Sequence, residues 1–201
     1  MLHEVMAPER AIPWLALAFA VGYLLGSIPV GVLIARAFGL GDLRKLGSGN
    51  IGATNVLRTG NRKAAALTLA LDIAKGAIPV LAFLAWGDLA AQAAGLGAFV
   101  GHCLPLWLKF RGGKGVATWI GVTLGLYWPA GLALMALWLG VVKATRTSAL
   151  GALAAATAGP FVFWATGRVE AVLAVALMGV AMWLTHLSNI RRLVAGAENR
   201  F

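Results

Sequence analysis

The chain has 201 residues, 60% of them hydrophobic and 12% charged, whereas soluble domains carry about 25% charged residues. Long apolar runs with few charges recur along it, which argues against a soluble fold and for a polytopic helical membrane protein, one domain over residues 1–201. The net charge of +10 is no nucleic-acid signal, because no basic face alternates with aromatics, and a lone cysteine, Cys103, excludes an intrachain disulfide.

Glu4 and Glu9 precede the first apolar run without a basic n-region, so this segment does not read as a cleaved signal peptide. Span one covers about Ile12 to Ala37. It contains Gly26-Ser27-Ile28-Pro29-Val30-Gly31, a kink or unwound turn. Ser27 either faces a site or only caps that kink.

The loop Phe38–Lys63 carries Gly47-Ser48-Gly49-Asn50-Ile51-Gly52-Ala53-Thr54-Asn55-Val56-Leu57-Arg58. Glycine permits positive φ and close approach to a ligand, and successive N–H groups in such a turn converge on an anion. With hydroxyls, amides and Arg58 added, the natural guest is a phosphate. The stretch lacks the Lys-Ser/Thr ending of a P-loop and the βαβ context of a dinucleotide site.

Span two, about Ala64 to Trp86, holds Asp72 and Lys75 three apart on one helix face. Charges inside a membrane are functional candidates, though these two also neutralise each other near the loop end. Asp88 marks a turn. Span three, about Leu89 to Leu108, ends in Gly101-His102-Cys103-Leu104-Pro105, and His102 reads there as a hydrogen-bonded structural residue. Phe110-Arg111-Gly112-Gly113-Lys114-Gly115-Val116-Ala117-Thr118 follows. Gly-Gly-Lys-Gly opening a helix is a second anion-shaped element, with free N–H groups and a point charge.

Val116 to Val142 is either one long span kinked at Pro129 or two short helices turning at Tyr127-Trp128-Pro129. Charge decides for two, since one span would put Lys143 and Arg146 opposite Lys109–Lys114. Thr145-Arg146-Thr147-Ser148 is the next polar element, and span six is about Ala149 to Thr166. Gly167-Arg168-Val169-Glu170 turns into span seven, about Ala171 to Leu187, which ends in His186, Asn189 and Arg192 on one helical face. Seven spans leave only Arg10 and Arg168, of 17 Lys and Arg, on the face of the N-terminus. The positive-inside rule then puts the N-terminus outside and the C-terminus in the cytoplasm, with every polar constellation on the cytoplasmic side.

Tyr23–Pro29, Asp42-Leu43-Arg44 with Gly47–Arg58, Leu71–Gly76, Gly101-His102 with Pro105, Phe110 with Gly112–Thr118, and His186, Asn189, Arg192, Gly196, Glu198, Arg200 and Phe201 resemble the bacterial acyl-phosphate:glycerol-3-phosphate acyltransferase family, PlsY. The likeness spans nearly the whole chain, departing at Leu187-Ser188, where family members are often more charged. It implies an all-α enzyme of seven transmembrane helices in the bacterial inner membrane, with a cytoplasmic site and no metal or cofactor. The reaction implied makes 1-acyl-glycerol 3-phosphate from acyl phosphate and glycerol 3-phosphate, amid membrane lipid, with no nucleic acid and no obligatory protein partner.

Acyl phosphate is an activated anhydride, so no enzyme nucleophile is required. The protein has to position two repelling anions and stabilise charge at the carbonyl oxygen. On this reading Ser48, Arg58, Lys114, Ser148, His186 and Asn189 hold glycerol phosphate and the reacting centre. Gly49, Asn50, Gly52 and Thr54 hold the acyl-phosphate group, and Gly47, Asn55 and Gly113 complete the binding set. His186 is one candidate proton acceptor and a substrate phosphate oxygen the other.

Two rivals fail. A phosphate transporter would show inverted repeats and broken helices at the midplane, and no such repeat is present. A thioester-dependent acyltransferase would show a His with an Asp five positions on, where this chain has Trp107 after His102 and Arg191 after His186.

Single-cysteine variants in a Cys103→Ala background test the topology. An impermeant thiol reagent should label positions 88 and 168 on intact cells, and positions 114 and 189 only in inverted vesicles. Labelling of Lys114→Cys from outside would overturn the topology.

Overall fold

Inside a bilayer every backbone N–H and C=O has to find its partner within the protein, and a helix does so locally. In a computed structural model, which describes residues 8–47 and 49–200, the described chain is helical with no strand. Ser48 and Phe201, both named above, lie outside the described residues, as do residues 1–7.

The first apolar run forms α1 (Pro8–Gly26) and α2 (Val30–Ala37), broken at Ser27–Pro29 as the Gly-Ser-Ile-Pro sequence requires. Ser27 is fully buried at this break and is not part of the cavity described below. The following loop holds the short α3 (Ala53–Leu57). Asn61 then caps α4 (Arg62–Phe83), its side chain accepting the Ala64 N–H at 2.9 Å. Next come α5 (Asp88–Cys103), α6 (Val116–Leu126), α7 (Trp128–Thr145), α8 (Ser148–Ala165), α9 (Val169–Thr185) and α10 (Leu187–Val194).

The expected pair of short helices is present. The chain breaks at Tyr127, and Pro129 sits in the first turn of α7, where its missing N–H costs nothing. Among the described residues, five segments are long and apolar enough to cross a membrane, six if α9 and α10 count as one bent span. At 11 residues, α6 is the shorter apolar helix. It reaches about 17 Å of a ~30 Å core.

That short helix is tolerable because it lies in protein rather than lipid. Its Trp119, Ile120 and Val122 are fully buried, in one core with Phe99 of α5, Leu134 of α7, Phe163 of α8 and Met178 of α9. The last span, expected to end near Leu187, stops as α9 at Thr185, and α10, capped by His186 and carrying Asn189 and Arg192, leaves it at 57°. The polar sequence Ser188-Asn189 and Arg191-Arg192 cannot continue an apolar span, so the helix turns out of it.

Backbones touch at two seams. A Cβ at Gly22 or Gly26 of α1 would overlap the carbonyl oxygens of Ala94 and Ala98, and one at Gly97 or Gly101 of α5 would overlap those of Phe19 and Tyr23. Gly76 of α4 and Gly121 of α6 meet the carbonyls of Thr118 and Ile73 in the same way. Small residues at such seams let lipid-embedded helices gain contact where the hydrophobic effect contributes little. Gly121→Val should therefore cost at least about 1–3 kcal/mol, read as a lowered melting temperature of the detergent-purified protein. Gly140→Val, where a Cβ would meet nothing within 4 Å, should leave it unchanged.

Candidate active site

Segments far apart in sequence close around one end of the bundle and enclose a cavity of about 650 Å³. Of the residues expected there, Asn50, Gly52, Thr54, Asn55, Arg58, Lys114, Ser148, His186 and Asn189 line it. Gly47, Gly49 and Gly113 do not line it.

Several donors of the glycine-rich loop bond within the loop itself. Gly47 and Gly49 take φ of +52° and +70°, which other residues adopt at a cost. The Gly49 N–H donates to the Leu46 carbonyl at 2.8 Å, and the Gly52 N–H to Asn50 Oδ1 at 3.1 Å. Asn55 is buried, and its amide donates to the carbonyls of Leu43 at 2.8 Å and Leu46 at 3.1 Å. The N–H groups of Gly49 and Gly52 are thus bonded within the loop. The loop offers the cavity side chains, chiefly Thr54 and Arg58. Thr54 Oγ1 lies 3.2 Å from Ser148 Oγ, which joins this loop to the start of α8.

In the Gly-Gly-Lys-Gly element the first two N–H groups are likewise bonded within the protein. The N–H groups of Gly112 and Gly113 donate to the carbonyls of Cys103 at 3.1 Å and His102 at 3.0 Å. A Cβ at Gly113 would overlap the His102 imidazole, and one at Gly115, which has φ +87°, would overlap the Phe99 ring. These glycines seat the loop against α5 and so bring Lys114 to the cavity.

The Lys114 ammonium donates to Asn189 Oδ1. Asn189 Nδ2 donates to Glu198 Oε1 at 2.6 Å, and Arg192 Nε meets Glu198 Oε2 at 2.7 Å. Glu198 is the residue that sequence reasoning left without a role. Its signals are its place among the residues that carry the family resemblance and its being the sole acid near Arg191, Arg192 and Arg200. Thr185 Oγ1 lies 3.1 Å from the Lys114 carbonyl oxygen and ties that backbone to the end of α9.

Burial holds Lys114 down to about 8, with Arg192 and Arg58 adding to the depression and Glu198 opposing it. His186, just past the last span, is buried, and its Nδ1 lies 2.8 Å from the Met182 carbonyl oxygen. A carbonyl only accepts, so Nδ1 carries the proton and Nε2 keeps a lone pair. Burial pushes His186 down to about 4, against the Met182 bond, and the Lys114 charge pushes the same way as burial.

Arg58, Arg62, Lys114, Lys143 and Arg146 all line the cavity. Its two carboxylates are committed elsewhere, Glu198 to Arg192 and Asp72 to Lys75 at 2.9 Å. The lining also includes the apolar side chains Ala65, Leu69, Val116, Ile120, Trp138 and Val142 of α4, α6 and α7. The arrangement suits an anion with a hydrocarbon tail.

A sequence model of the family described as glycerol-3-phosphate acyltransferase matches residues 16–196. A protein of that name from Nitrobacter winogradskyi is 57% identical over 92% of this chain and 94% of its own. Another from Sinorhizobium fredii is 53% identical over 98% and 97%. Among solved structures, PlsY (YgiH), described as an integral membrane glycerol 3-phosphate acyltransferase, superposes in its glycerol 3-phosphate form with a TM-score of 0.86, 36% identity and 96% of each chain covered. Its lysophosphatidic acid form gives a TM-score of 0.85 at 33% identity.

Lys114 is an ammonium below about pH 8 and loses that charge above it. Affinity for a phosphate monoester should therefore fall as pH rises through about 8. Lys114→Arg, cationic throughout, should bind less tightly yet with no such limb. Calorimetric titrations on either side of that pH check both outcomes.

Proposed function

This chain belongs to the glycerol-3-phosphate acyltransferase family, and from that premise we propose that it moves a fatty acyl group from acyl phosphate directly to the C1 hydroxyl of glycerol 3-phosphate. The chain is an integral membrane acyltransferase that makes lysophosphatidic acid. The donor, the direct route and the residue roles are the proposal. We also take α6 as a seventh crossing, with the N-terminus outside and the cavity on the cytoplasmic face of a bacterial inner membrane. The gathering of basic loops at the cavity end supports that orientation.

The observation that carries the proposal is the cavity with a cationic rim and an apolar wall. Acyl phosphate has that same division, a phosphate at one end and a hydrocarbon chain at the other. Lys114, Arg58 and Ser148 hold the glycerol phosphate, with Ser48 assigned beside them from the sequence. Asn50 and Thr54, with Gly47, Gly49 and Gly52 shaping their loop, hold the acyl-phosphate head. Asn189, fixed by Glu198 at one end of its amide and by Lys114 at the other, sets where the ammonium points.

The C1 oxygen attacks the acyl carbon, the new ester C–O bond forms, and the bond to the phosphate oxygen breaks. Charge on the departing phosphate is matched by preorganised donors, which is where most of the rate acceleration comes from in such sites. The hydroxyl proton has to go somewhere. His186, held near pKa 4, is a weak base at neutral pH, whereas a phosphate monoester takes its second proton near pH 6. This supports a substrate phosphate oxygen as the acceptor, with His186 Nε2 orienting the hydroxyl by accepting its hydrogen bond.

Purified protein with acyl phosphate and glycerol 3-phosphate alone should turn over, with both substrates bound before either product leaves. Labelled acyl phosphate given without glycerol 3-phosphate should leave no covalent label after denaturation. Stoichiometric acyl label on any residue would refute direct transfer. Faster turnover with acyl-coenzyme A or acyl-carrier protein would refute the donor.

A further inference from the structure

Beneath the site lies a buried polar chain that the proposed reaction does not use. Asp72 and Lys75 of α4 and His102 of α5 are 2%, 7% and 4% exposed, in the interior of an apolar bundle. Lys75 Nζ donates to the Ile28 carbonyl, in the break between α1 and α2, at 2.9 Å. It also lies 2.9 Å from Asp72 Oδ1, and that oxygen is 3.6 Å from His102 Nδ1. His102 in turn carries the loop before Lys114: its carbonyl accepts the Gly113 N–H at 3.0 Å, and its ring occupies the space a Cβ at Gly113 would take. Asp72 and His102 both line the same cavity as Lys114.

Neutralising a membrane charge would need only the Lys75–Asp72 pair. It would not need an imidazole beside the carboxylate, nor a loop seated on that imidazole. Burying ionisable groups is costly in a bundle of this kind and persists where it serves a site. We propose that Asp72, Lys75 and His102 are positioning residues for glycerol 3-phosphate. They fix the His102 ring, the ring fixes the Gly113 backbone, and that backbone sets where the Lys114 ammonium meets the substrate phosphate. The inference rests on the role given to Lys114 above. It is specific to one substrate, because the acyl-phosphate head is assigned to the other loop.

The test uses the full chain purified in detergent, as wild type, Asp72→Asn, His102→Gln and Gly113→Ala. Gly113→Ala keeps all three polar residues and drives the His102 ring and the loop apart, so it stands in if either polar variant fails to fold. Three quantities are read: the calorimetric Kd for glycerol 3-phosphate, the KM of each substrate, and the melting temperature. Misplacement of a substrate-holding group by about 1 Å costs up to about 10² in rate. Each folded variant should accordingly raise both Kd and KM for glycerol 3-phosphate at least about tenfold, with the acyl-phosphate KM unchanged. A lowered melting temperature or kcat with both KM values unchanged would mean a structural role only and overturn the inference. So would an equal rise in both KM values. A wild type that binds no glycerol 3-phosphate overturns the reading of the site together with this inference. A wild type that binds and transfers, with variants of wild-type affinity, overturns this inference alone.

Discussion

A lysine ammonium drawn half out of water has to be paired or it loses its proton, and the open end of this molecule is arranged around how Lys114 is held. Its position comes from α5, through the loop of Gly112 and Gly113 resting on His102 and Cys103. Its direction comes from Asn189, and Asn189 is fixed by Glu198, which Arg192 also grips. One carboxylate thus holds Asn189 and Arg192 of α10 directly and, through Asn189, Lys114 from the loop before α6. It compensates Lys114 only in part, which leaves an ammonium that an incoming phosphate can still stabilise.

The glycines act more by what they let approach than by what they donate. At both glycine-rich elements glycine N–H groups bond within the protein, those of Gly49 and Gly52 to Leu46 and Asn50, and those of Gly112 and Gly113 to Cys103 and His102. An anion in the cavity would meet side chains: Arg58, Lys114, Thr54 and Ser148. The same economy appears at the seams of α1 with α5 and α4 with α6, where glycine brings backbone onto backbone. Rigid seams there keep α5 fixed, and α5 carries His102, on which the Lys114 loop sits.

The cavity joins two solvents. Its rim collects cations at the bundle end, and its wall continues into the apolar faces of α4, α6 and α7. Lys114 directly precedes the 11-residue α6, and Val116 and Ile120 of that helix line the same cavity.

Hydropathy is local, so the spans were legible in the chain itself: the break at Gly26–Pro29, the paired short helices about Tyr127 and the ends of α4, α5, α8 and α9 all fall within a few residues of where apolar runs start and stop. Charge is also readable residue by residue, and it showed that Gly, Ser, Asn and His gather with the basic loops on one side. What depends on distance across the bundle was decided only by tertiary structure. That Thr54 meets Ser148, that Glu198 reaches back to Asn189, and that His102 supports Gly113 are contacts between residues 94, 9 and 11 positions apart. A run of sequence does not encode which neighbours its side chains will meet. The 57° turn after Thr185 belongs there too: three-residue spacing placed His186, Asn189 and Arg192 on one helical face, but not the angle at which their short helix leaves the apolar span.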